Sequence, residues 1–65
     1  MSTQTLNFQD FTFNAMNDGT EIYGVLSKDG VTLESGFYRT TDSRRALWRA
    51  LSNHLPAHKI AHLYV

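Results

Sequence analysis

From Leu6 onward the apolar residues alternate with polar ones: Leu6 and Phe8, then Phe11, Phe13 and Ala15. A period of two belongs to a strand with one face on a core. The phase slips between Phe8 and Phe11, which stand three apart. That predicts a bulge near Gln9-Asp10, or an irregular entry into a strand starting at Phe11. Residues 1–5 are polar apart from Met1 and are expected to form a flexible N-terminus, with the domain running over 6–65. Asn17-Asp18-Gly19 is a hairpin signal, because Gly accepts the positive φ that tight turns need. A second strand follows from Glu21 to Ser27, with Ile22, Gly24 and Leu26 on one face and Tyr23 and Val25 on the other. Lys28-Asp29-Gly30 repeats the signal. The third strand, Val31 to Thr40, places Val31, Leu33 and Phe37 on one face and Tyr38 on the other. Gly36 suggests a bulge or a close backbone approach.

The period then changes. Thr41-Asp42-Ser43 offers N-cap oxygens, and Leu47, Leu51 and Leu55, with Trp48, fall on one stripe. The spacing predicts a helix from Asp42 to His54, stopped by Pro56. Lys59 to Val65 is apolar on both faces (Ile60, Leu63, Tyr64, Val65) and predicts a last strand. The expected fold is α+β, a small single domain in the order β-β-β-α-β. Three strands form an antiparallel meander, one helix packs on one face, and a right-handed crossover lays the C-terminal fourth strand beside the first. The other face, carrying Tyr23, Val25 and Tyr38, is left partly open.

Composition narrows the classes. Sixty-five residues with no cysteine hold neither a disulfide framework nor a cysteine-rich zinc site. No apolar run approaches the roughly 18 residues that cross a bilayer. Residues 1–7 lack the basic and apolar segments of a signal peptide, so the expected location is cytoplasmic. The 42% hydrophobic content argues against disorder.

Little points to chemistry. His54, His58 and His62 are spaced as metal ligands on one helix would be, but Pro56 interrupts that helix, so no metal site is expected. No motif sets a base beside Ser43, and the four glycines form no phosphate loop. Asp18 and Asp29 are accounted for as turn residues. Neither catalytic residues nor a cofactor are expected.

The arginines carry more information. Arg39, Arg44, Arg45 and Arg49 fall within eleven residues, with Trp48 among them. Arg and Trp are the residues most enriched at binding hot spots, and none of the three helical arginines has an acid four residues away. The zero net charge divides. Residues 1–38 hold five acids and one lysine, net −4; residues 39–65 hold five bases and one acid, net +4. If the acidic turns lie away from the helix, the molecule has a negative and a positive side, which orients a partner. The function expected is therefore a small non-catalytic protein-binding module for an acidic partner. Arg39, Arg44, Arg45, Trp48 and Arg49 would bind, with Tyr38 on strand three. A nucleic-acid-binding domain using the same helix is the alternative, and the neutral total weighs against it. Strand three, if it is an edge, or the apolar last strand could form a homodimer. In size and element order the chain resembles the compact proteins with which phages and mobile elements block host enzymes or defence complexes. That resemblance implies an inhibitor or regulator.

Overall fold

The computed structural model describes residues 2–64, with His62 and Tyr64 by their backbone alone. Four strands come first: β1 (Ser2–Phe8), β2 (Phe11–Asn17), β3 (Ile22–Lys28) and β4 (Val31–Tyr38). They form one sheet in the order β1-β2-β3-β4, each antiparallel to its neighbour. Helix α1 (Ser43–Leu51) follows, then a single turn α2 (Ala57–Ile60) and a 3-10 turn over Ala61–Tyr64. The fold is α+β, with the helices packed on a four-stranded antiparallel sheet.

The phase slip between Phe8 and Phe11 is a hairpin, not a bulge. The residues flanking a two-residue loop pair across the ladder and share a face, although they stand three apart. Phe8 pairs with Phe11, and Gln9 takes the left-handed φ of 53°. The Lys28/Val31 hairpin is likewise closed by a two-residue loop, with Asp29 at φ 53° and Gly30 at φ 80°. Gln9-Asp10 lacks the glycine that marks such a turn, so its signal in sequence is weaker. β1 extends back through residues 2–5, the stretch expected to be flexible; Met1 lies outside the described residues.

β1 also takes the place beside Phe11–Asn17 that the expected last strand would have filled. The order β-β-β-α-β is thus replaced by four consecutive strands and then helices. Residues 59–64 are helical, and Val65 lies outside the described residues. The reason is packing: Ile60 and Leu63, three apart, share a helical face, with Ile60 buried and Leu63 packed against the core. Pro56, expected only as a stop, is the N-cap of α2. α1 itself ends at Leu51, and 3-10 and α-type bonds continue the turn to Leu55, whose N–H donates to the Leu51 carbonyl at 2.8 Å.

The β4 phase is the second correction. Leu26 pairs with Glu34 but Ser27 pairs with Thr32, so Leu33 is an extra residue, a bulge. One extra residue inverts every side chain beyond it. Phe37 therefore points to the open face, where it is 67% exposed, and Tyr38 points to the helix side. Gly36, expected at the bulge, lies opposite Gly24 in regular ladder.

The core lies between sheet and helices. β1 to β3 supply Phe8, Phe11, Phe13, Ala15, Ile22 and Leu26; α1 supplies Ala46, Leu47, Ala50 and Leu51; α2 supplies Ile60. Full burial of a large apolar side chain contributes about 1.5–3 kcal/mol. Gly24 is required there, because a Cβ at that position would overlap the Phe13 ring and stand 3.0 Å from Tyr38 Cε2. Tyr38 meets Phe13 edge-on with ring centres 5.8 Å apart.

Candidate interaction surface

The basic helix is placed by its entry. The Asp42 carboxylate caps α1 by accepting from the Arg44 N–H at 3.0 Å, and the Asp42 N–H donates to Thr40 Oγ1 at 3.1 Å. Asn17 Nδ2 donates to the Thr41 carbonyl at 2.9 Å, which ties the end of β2 to the start of the helix. The β2–β3 loop beside it is rigidly bonded. The Asp18 carboxylate accepts from the Thr20 N–H, the Thr20 hydroxyl and the Glu21 N–H, each at 2.9 Å. Those bonds, Glu21 first and Thr20 next, hold the Asp18 carboxyl below its ordinary pKa of 3.8.

The six expected site residues separate into three groups. Arg44 and Arg45 are exposed in the first turn of α1, and Arg39 is exposed just past β4. Arg49 and Trp48 are half-buried. Trp48 packs against the core, so part of its ring is committed to the fold. Tyr38 does not join them: it lies against Phe13 and donates to Glu34 Oε2 over a long 3.4 Å. Burial, then the Glu34 charge, raises its pKa from 10.0 to about 12. Asn53 Nδ2 donates to the same carboxylate at 3.0 Å, joining the turn after α1 to β4. This cluster holds helix to sheet and is a structural contact.

The first turn of α1 breaks a local rule. The N-terminal end of a helix carries partial positive charge, so cations there cost about 0.3–1 kcal/mol each at an exposed site. Arg44 and Arg45 stand in that turn, and it contains no acid. Arg49, in the last turn, suits the dipole. A shallow depression of about 160 Å³ adjoins Arg45, lined by Thr40, Asp42, Arg45 and Leu63. It falls short of the roughly 300 Å³ at which small-molecule pockets begin. Among the described residues no three His, Asp or Glu side chains gather as a metal group would, and no buried polar side-chain atom lacks a partner.

The acidic turns do not lie on one side. Asp10 and Asp29 are at the end of the sheet that holds the two tight hairpins; Asp18 and Glu21 are at the other end, beside the start of α1. The simple separation into a negative and a positive side therefore gives way to acids at both ends of the sheet, with Arg39, Arg44 and Arg45 at the end that also holds Asp18 and Glu21.

The sheet face away from the helices is a second surface. Its cross-strand rows are Thr3–Met16–Tyr23–Phe37, Thr5–Asn14–Val25–Ser35 and Asn7–Thr12–Ser27–Thr32. No residue in these rows is charged. Thr5 Oγ1 donates to Asn14 Oδ1 at 2.9 Å and Thr12 Oγ1 to Asn7 Oδ1 at 3.2 Å, so each of these two polar rows is bonded across β1 and β2. Tyr23 and Phe37 stack edge-on at 5.0 Å, with Met16 beside Tyr23. The alternation of Tyr23 and Val25 indicates an open face in sequence; Phe37 is hidden by the bulge, and the β1 row by the hairpin.

Compared with known protein families, with curated proteins and with solved structures, the chain matches none.

Proposed function

We propose that this protein is a non-catalytic binding module that engages an acidic protein partner through the outer face of α1. Arg44 and Arg45 make the central contacts, Arg49 and the exposed edge of Trp48 extend them along the helix, and Arg39 adds charge at the margin. The observation that carries the reading is the pair of arginines in the first turn of α1. Cations at that end of a helix oppose its dipole, and a partner's carboxylates there gain both charge and the helix dipole. Places where a sequence departs from local rules are where function is found. The resemblance to phage and mobile-element inhibitors rested on size and on a β-β-β-α-β order. Four strands followed by helices leave size alone, so the proposal stops at binding, and inhibition is one form it could take.

The test is Arg44→Ala with Arg45→Ala. An arginine hot spot contributes about 2 kcal/mol or more, so the double variant should lose at least about thirtyfold in affinity, with circular dichroism confirming that it is folded. Partners are captured from extract with and without nuclease, at low and high salt. A protein captured by the parent, lost by the variant and indifferent to nuclease supports the proposal. Capture that nuclease abolishes, with a steep salt dependence, would instead assign the same helix to nucleic acid. A captured set unchanged by the double substitution overturns both.

A further inference from the structure

We infer that β1 is a self-pairing edge, through which two copies of the chain join antiparallel into one eight-stranded sheet. The inference goes beyond the helix-face reading and does not depend on it.

The two edges of the sheet differ. β4 is defended: Leu33 bulges it, and its Glu34 carboxylate is held by Asn53 from the turn after α1. Bulges and charges are the devices by which edge strands resist pairing. β1 has none of them. It runs seven residues, Ser2–Phe8, in unbroken register with β2, and contains no charged residue and no proline. Ser2, Thr3, Gln4, Thr5 and Asn7 are all exposed, so among the described residues no helix or loop covers the outer edge of the strand.

The ladder fixes which peptide groups are free to pair. Along an antiparallel strand every second residue directs its N–H and C=O away from its neighbour. The hairpin closes on Phe8 and Phe11, so counting back from Phe8 the outward residues are Asn7, Thr5 and Thr3. They are placed symmetrically about Thr5. A two-fold axis through Thr5 sets it opposite Thr5 of the second copy, and sets Thr3 opposite Asn7 in both directions. Every outward peptide group of the strand then has a partner. The same register keeps Ser2, Gln4, Leu6 and Phe8 on the helix side, so half-buried Leu6 gains cover and the two uncharged faces become one. A two-fold interface must be complementary to itself, and a strand without charge meets that condition without repulsion. A small domain without a disulfide also gains stability from such pairing.

Since the chain has no cysteine, single cysteines report the pairing cleanly. Thr5→Cys places two thiols across the axis at strand-pair separation, within the 4.4–6.8 Å that a disulfide spans between Cα atoms. Under mild oxidation it should form a covalent dimer nearly completely, and Ser35→Cys, equally exposed on β4, should remain monomeric. Sedimentation of the unmodified chain should show a dimer that Thr5→Lys converts to monomer, with the circular dichroism and melting curve confirming that the variant is folded. A chain that sediments as a monomer at all concentrations overturns the inference. So does cross-linking at Ser35 rather than Thr5, or a dimer that survives Thr5→Lys.

Discussion

The sheet has two faces built from the same four strands. Toward the helices stand Phe8, Phe11, Phe13, Ala15, Ile22 and Leu26, close-packed and buried. Away from them stand threonines, asparagines and serines with one exposed aromatic pair, Tyr23 and Phe37. Both faces contain aromatics and neither has a buried charge, but the inner one is apolar throughout and the outer one mostly polar. The difference is cover. One helix of nine residues and a short helical tail cover one side of the sheet, and nothing among the described residues covers the other. The buried apolar core therefore lies on one face, and the opposite face is held by the Thr5–Asn14 and Asn7–Thr12 hydrogen bonds and the Tyr23–Phe37 pair.

That contrast can be broken by substitution. The largest effect belongs to Phe13→Ala, which removes a fully buried ring above Gly24. Such truncations cost about 3–5 kcal/mol. A domain of this size has about 3–10 kcal/mol in total, so the variant should be largely unfolded by near-ultraviolet circular dichroism and urea titration. If it melts like the parent, the core is misassigned.

The two facing glycines sharpen the comparison next. Gly24→Ala forces a methyl group into the Phe13 ring and should cost about 1–3 kcal/mol, lowering the melting temperature by several degrees at least. Gly36→Ala meets nothing within 4 Å and should be neutral or stabilise by about 0.4–1 kcal/mol. Equal effects at the two positions would contradict the register of β3 with β4.

Asp42→Ala removes the α1 cap and should cost about 1 kcal/mol, read from the urea midpoint at constant slope.

Tyr38 gives a pH signature. Its pKa is raised in the folded protein, so the neutral phenol is the favoured form there. The stability this confers is fully present below pH 10.0 and is lost as pH rises toward about 12. Ultraviolet titration should show one tyrosine ionising late, and Tyr38→Phe should remove that late step while flattening the alkaline loss of stability. The smallest effect is expected on the open face. Phe37→Ser, at a position two-thirds exposed, should change stability by no more than about 0.5 kcal/mol. A larger loss would mean that the face is covered in solution.

Much of this was legible residue by residue. Alternation at Phe11–Ala15 and Ile22–Leu26 marked the inner face of β2 and β3, and Asp29-Gly30 marked the last hairpin. Asp42 marked the cap. The helical stripe named Leu47 and Leu51, and counting charges exposed the basic segment at Arg44, Arg45 and Arg49. These are local: each follows from side-chain period, from a positive φ or from an N-cap oxygen, all set within a few residues.

Three features were decided by the tertiary structure. Gln9 adopts a left-handed φ without glycine because pairing of Phe8 with Phe11 on a shared core outweighs its local cost. The bulge at Leu33 sends Tyr38 inward over Gly24 and Phe37 outward, and no count of alternating residues reveals one unpaired position in a strand. The apolar tail suits strand or helix by composition. It is helical, which puts Ile60 and Leu63 together on one side, Ile60 in the core and Leu63 packed against it. Local chemistry thus chose the turns, the cap and the amphipathic helix. Competition for the two edges and the one covered face decided which residues remained outside, because pairing and burial depend on what the rest of the chain has already occupied.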